Sequence, residues 1–298
     1  MNSKIKSNQR KAFIVLLAST STLGLLLYSL TAYIGSDLNV LIGIALFTVI
    51  TPWVLYYKSD SIVIKTTGAR PATESEHKQL INIVEELALA TNLPVPKLYV
   101  VDDDAPNAFA TGRNPSKGVI AVTTGLLSKL DRESQQGVIA HEMAHIQNRD
   151  TLVGTIVATI TTLILFISDL GLRIAVGGRK SKGSASPLIF LALLAVILAP
   201  IGAVILRATH SRAREALADM SAVKITRNPA GLRKALEALA ADNTEIKKVS
   251  PASSALWIEE PNPRNLKNKP SFISKLYATH PPIEERIQAL YQLEKNQG

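Results

Sequence analysis

His141-Glu142-Met143-Ala144-His145 is the stretch on which the fold turns. On an α-helix, side chains four positions apart lie on one face, so the two imidazoles converge on one point. Neutral imidazole nitrogens are zinc ligands, and a catalytic zinc keeps three protein ligands and one open position for water. Glu142 stands one step round the helix from His141. There its carboxylate can take a proton from zinc-bound water and pass it to a leaving amine. Three fixed residues in five also arise by chance, and histidines four apart can simply occupy a helix face, so the surroundings matter. Asp131 is a candidate N-cap for a helix running to about Arg149. Val138, Ile139 and Ile146 give that helix an apolar side, which marks it as a core helix. The chain holds five histidines, and two of them are in this motif.

Candidates for a third ligand lie downstream, in Ser211-Arg212-Ala213-Arg214-Glu215-Ala216-Leu217-Ala218-Asp219. Glu215 and Asp219 are four apart and share a helix face. The first can ligate zinc, and the second can accept the outer N–H of a ligand imidazole. The plain alternative is a solvated face carrying Arg–Glu pairs. His210 is a rival ligand, but it lies five positions before Glu215, about 140° round a helix. It reads better as an interfacial histidine. His77 falls in the first turn of a surface helix and reads as solvated.

Apolar runs flank these segments. Residues 12–34 carry no charge and would reach about 35 Å as a helix, against a hydrocarbon core of ~30 Å. Lys4, Lys6, Arg10 and Lys11 precede them. The run is too long for a cleaved signal sequence and lacks its small-residue site. A second run, residues 38–57, ends in Trp53, Tyr56, Tyr57 and Lys58, as suits a membrane interface. The basic N-terminus and Lys58 then share the cytoplasmic side. Residues 151–172 and 187–206 make a second hairpin, whose connecting loop holds Arg173, Arg179, Lys180 and Lys182. That basic loop opposes the positive-inside rule, so either the first hairpin sets the orientation or the second enters only partly. In both cases the segments before residue 151 and after residue 206 end on one side.

The polar segments read as an α+β unit. Thr73 and Glu76 form a candidate capping box for a helix that stops near Asn92. Residues 97–101, 107–111 and 119–123 are short strands, with a polar turn at 113–117. Asn228-Pro229 starts another helix, residues 243–271 are a long loop or flap, and a last helix follows Pro281-Pro282. The net charge of +9 is assigned to cations flanking apolar spans, not to nucleic-acid binding. The absence of cysteine excludes disulfides, thiolate metal sites and a cysteine nucleophile.

Taken together, the HEMAH motif, the SRAREALAD stretch and Thr279-His280-Pro281-Pro282 with Arg286 resemble the HtpX heat-shock protease family. Those are membrane gluzincin metallopeptidases related to the CAAX prenyl endopeptidases. The resemblance spans essentially the whole chain. It implies one zinc ion held by His141, His145 and Glu215, with Glu142 as catalytic base and Asp219 orienting His141. It further implies that His280 stabilises the oxyanion and that Arg286 makes a buried ion pair near the site. Asn107, Ala108 and Phe109 match the family's Asn-Ala-Phe segment, an edge strand that holds substrate extended by main-chain hydrogen bonds.

The expected fold is therefore a mainly α membrane protein. Two transmembrane hairpins (1–58 and 151–206) accompany a zincin-like α+β catalytic domain in two parts (59–150 and 207–298), with a small sheet. The expected activity is that of a zinc metalloendopeptidase of the bacterial inner membrane, multi-pass, with its catalytic domain cytoplasmic. Its partners are misfolded or damaged polypeptides, membrane proteins among them, and the lipid bilayer; nucleic acid is not among them. Rival readings are a prenyl-protein peptidase, which would need more spans, a zinc-bearing scaffold, which would not need Glu142, and a metal-free membrane adaptor.

Overall fold

The computed structural model describes residues 38–152, 212–246, 256–258 and 282–296, with isolated helical positions between residues 10 and 24. Most of the first apolar run, the second hairpin beyond residue 152, His210, His280 and most of the 243–271 loop lie outside the described residues.

The sheet sits at the centre of what is described. Its strands are β1 (Arg70–Pro71), β2 (Lys97–Val101), β3 (Ala108–Thr111) and β4 (Val119–Thr123). Their order is β1-β2-β4-β3, with β2 and β4 parallel and the other two pairs antiparallel. Alternation sends successive side chains to opposite faces. Val100, Ala108, Ala110, Ile120 and Val122 join the larger core, and Val101, Phe109, Val119 and Ala121 join a smaller one behind it. Both faces are covered, which is why all five residues of β4 are buried.

Helix α1 (Leu38–Thr67) is longer than the apolar run that opens it. It runs on past Lys58, and Val63 and Ile64 in its last turns close the smaller core. Toward its N-terminal side it leaves Leu38, Ile42, Leu46, Ile50 and Trp53 exposed. Among the described residues, no helix is long and apolar enough to cross a membrane.

Helix α2 (Glu74–Thr91) ends where Asn92 turns left-handed at φ 52°. Its start differs from the expected capping box. The Thr73 side chain makes no cap bond. Instead the Thr73 N–H donates to His77 Nδ1 at 3.3 Å, and the Glu76 carboxylate pairs with Arg70 at 2.7 Å. A nearby arginine outcompetes a backbone N–H for the carboxylate. The same arrangement buries His77, which is not the solvated residue its position suggested.

Thr123 caps the short helix α3 (Thr124–Lys129), and Asp131 caps α4 (Arg132–Asn148) by accepting from Ser134 N–H. Helix α4 is buried on nearly its whole circumference, not on one side only. It runs between the sheet and α2 on one hand and α5 (Arg212–Thr226) and α6 (Pro229–Ala241) on the other. Two glycines let α4 and α6 cross almost backbone to backbone. A Cβ on Gly137 would lie 2.5 Å from Leu232 N, and one on Gly231 would lie 2.7 Å from Glu133 O. Helix α7 (Ile283–Lys295) lies across α6 and brings Arg286 into the interior.

Candidate metal centre

The C-terminal half of α4 and the first turns of α5 meet over the sheet. His141 and His145 project from α4 and Glu215 from α5, and one ligand atom of each lies within 4.8 Å of the others. The two Nε2 atoms are 3.1 Å apart. Glu215 Oε2 lies 3.6 Å from His141 Nε2, and Oε1 lies 3.8 Å from His145 Nε2. Ligand atoms at ~2.0–2.1 Å from a tetrahedral zinc stand about 3.3 Å apart, so this donor set fits such an ion. A triad of two nitrogens and one carboxylate is also the composition found around catalytic zinc.

Each imidazole turns its Nε2 inward and its Nδ1 toward an aspartate. The His141 Nδ1–H donates to Asp219 Oδ1 at 2.8 Å. Asp219 is held in turn by Arg286, through Nε at 3.0 Å and Nη2 at 2.7 Å. Arg286 also donates from Nη1 to the Ile258 carbonyl at 3.4 Å. On the other imidazole, Nδ1 of His145 lies 3.5 Å from Asp150 Oδ2.

Burial is the largest influence on His141 and, with the Arg286 charge, disfavours its protonation; hydrogen bonds to Asp219 and Glu215 outweigh both and hold the metal-free imidazole up at about 9. For Asp219, burial favours the neutral acid, but the Arg286 charge and the His141 hydrogen bond overcome it and hold the carboxyl down at about 2. A cation entering the cluster has to displace the His141 proton.

Glu142, one residue on from His141, is 2 % exposed, and its charge helps keep Arg286 protonated. Asn107 precedes the edge strand β3. Its N–H donates to Thr123 Oγ1 at 2.9 Å, and its side-chain oxygen accepts from Ala108 N–H at 3.0 Å. The outer side of β3 is partly taken: Ile258 N–H donates to the Ala108 carbonyl at 2.8 Å, and Phe109 bridges Trp257. The Trp257 ring packs edge-on to Phe109 at 4.8 Å.

Among the expected residues, the structure thus gathers His141, Glu142, His145, Glu215, Asp219 and Arg286 into one centre. Asn107, Ala108 and Phe109 lie along the sheet edge, and His280 is outside the described residues. Asp150 and the 256–258 segment were not anticipated. The first has no periodic signal to mark it. The second lies in a loop whose composition says only that it is irregular.

Residues 74–294 match Peptidase family M48. A "Protease HtpX homolog" of Thermoanaerobacter pseudethanolicus is 39% identical over 293 residues, covering 96% of this chain and 95% of that protein. One from Streptococcus gordonii is 36% identical over 302 residues, covering 97% and 99%. The crystal structure of S. mikatae Ste24p aligns at a TM-score of 0.49 and 22% identity, covering 97% of this chain and 67% of that one.

Proposed function

Because this chain belongs to peptidase family M48 and is a metalloprotease, we propose that it is a membrane-bound zinc endopeptidase that cuts misfolded or damaged proteins at the cytoplasmic face. One observation carries the chemistry: His141, His145 and Glu215 present two imidazole nitrogens and a carboxylate to one point, with Glu142 adjacent on the same helix. Zinc held there would supply Lewis acidity toward the scissile carbonyl.

The rest of the work falls to the chain's own groups. Glu142 accepts a proton from the attacking water and returns it to the departing amine, a role worth about 10²–10⁴ in rate. Asp219 keeps the His141 Nδ1 protonated and so leaves the Nε2 lone pair as the one that would face the ion. Arg286 neutralises Asp219 and fixes its position. Substrate pairs in extended form with the edge at Asn107, Ala108 and Phe109, so affinity comes from main-chain hydrogen bonds and selectivity is broad. For that pairing to extend along β3, the 256–258 segment must share or yield the edge. His280 is assigned the oxyanion.

The membrane reading rests on the apolar runs with their basic flanks and on the exposed apolar side chains of α1. The two hairpins, 1–58 and 151–206, then bracket a catalytic domain made of 59–150 and 207–298.

Metal content and casein cleavage by detergent-purified protein, wild type beside Glu142→Ala, test the core of this. The expected result is about one zinc per chain in both and a loss of at least 10²-fold in cleavage for the variant. Absence of zinc from both after reloading would overturn it.

A further inference from the structure

Each imidazole of the centre has an aspartate and an arginine behind it, at closer range for His141 than for His145. Asp219 and Arg286 behind His141 were legible in part from the sequence. Behind His145 the chain supplies a second pair that no periodicity announces. Asp150 Oδ2 lies 3.5 Å from His145 Nδ1, and Arg214 Nε lies 3.9 Å from the other Asp150 oxygen. All three are well shielded, the side chains of His145, Asp150 and Arg214 being 13%, 6% and 11% exposed.

We infer that Asp150, backed by Arg214, is a positioning residue for His145 and sets its affinity for the metal; this rests on the reading of His145 as a ligand. At 3.5 Å the contact is an ion-pair distance and not a hydrogen bond; a carboxylate facing Nδ1 still favours the proton on that nitrogen and so leaves the Nε2 lone pair pointing inward. The Nε2 atom does point inward, 3.1 Å from its counterpart on His141.

The local backbone is built to deliver this carboxylate. Helix α4 ends at Arg149, a non-glycine residue held at φ 57° in the left-handed region. Its N–H caps the carbonyls of His145 and Ile146. Such a conformation is uncommon for a residue with a Cβ. Here it ends α4, and the next residue, Asp150, stands 3.5 Å from the last ligand's Nδ1. Arg214, beside the ligand Glu215 on α5, meets Asp150 from the other side. One helix thus supplies both the third ligand and the charge that steadies the acid behind the second.

The test compares wild type, Asp150→Ala, Asp150→Asn and His145→Ala as full-length protein in detergent. Zn²⁺ affinity is read by competition with a chelator, and the visible spectrum of the Co²⁺-loaded form reports ligand geometry. Unfolding of the metal-free proteins is followed in parallel. Asp150→Ala is expected to bind Zn²⁺ about 10–100-fold more weakly and to alter the Co²⁺ bands. Asp150→Asn keeps the shape and an acceptor oxygen, so it is expected to recover part of the affinity. A merely structural aspartate would lower metal-free stability and leave the affinity and spectrum of the folded protein unchanged. Zn²⁺ affinities of Asp150→Ala and Asp150→Asn within twofold of wild type, with unchanged Co²⁺ bands, would overturn the inference. Wild-type affinity in His145→Ala would instead overturn the ligand assignment on which it rests.

Discussion

Replacing Arg286 by methionine isolates what a buried charge does in this centre. Arg286 and Asp219 are 5% and 6% exposed, and the guanidinium holds the carboxylate at 2.7 and 3.0 Å. Removing one partner of a buried pair strands the other charge, which costs about 3–5 kcal/mol. The total stability of a domain is about 5–15 kcal/mol, so a large part of it is at stake. In Arg286→Met, Asp219 would keep the N–H of His141, which in the metal-free protein is a cationic imidazolium at pH 7, so the loss falls toward the lower end of that range and the carboxyl rises from the region of about 2.

The pH dependence follows from that shift. In the wild type the depressed Asp219 pKa contributes stability that is fully present above the ordinary carboxylate value of 3.8 and is lost as pH falls through about 2. The variant keeps only the part of this contribution that His141 supplies, and a falling pH can neutralise its less compensated acid. The gap between wild type and variant should therefore be widest near neutrality and narrow toward pH 4. Urea unfolding of the metal-free proteins in micelles measures it. The double variant Asp219→Asn with Arg286→Met strands no charge and should recover part of the loss. A deficit below about 1 kcal/mol at pH 7, or one that does not change with pH, would refute the reasoning, because a solvated pair behaves that way.

Two further outcomes are expected. Gly137→Ala should destabilise the protein by a net of about 2 kcal/mol: overpacking against Leu232 backbone costs about 3, and alanine's better helix propensity returns about 1. Gly43→Ala, whose Cβ meets nothing within 4 Å, should be neutral or stabilising, and equal effects at the two positions would contradict the close crossing. Zn²⁺ affinity should rise up to tenfold per pH unit up to about 9, because the metal must displace the His141 proton. The metal-free protein should do the reverse. A raised histidine pKa contributes stability below about 6.5 that disappears as pH climbs through about 9, so a metal affinity flat between pH 7 and 8.5 would count against it.

Much of the centre is local in origin, and that part was legible. Helical periodicity alone puts His141, Glu142 and His145 on neighbouring positions of one helix, and Glu215 and Asp219 on one face of another. Caps at Asp131 and Asn228 and the left-handed turn at Asn92 mark helix ends through hydrogen bonds that span three or four residues. Short alternating strands declare themselves for the same reason.

The tertiary structure decided everything that depends on what lies opposite. Thr73 and Glu76 have the spacing of a capping box, but Arg70 claims the carboxylate. The crossing of α4 and α6 turns on Gly137 meeting Leu232, a pairing that no spacing within either helix encodes. Asp150 and Arg214 come together only because α4 stops in a left-handed residue just where α5 begins its approach. Ile258, in a loop more than a hundred residues along the chain from β3, joins that edge to Arg286. A repeat of 3.6 or 2 residues fixes which way a side chain points along its own element. It carries no record of the partner, because that partner is chosen by how separate elements pack to exclude water and satisfy buried charge.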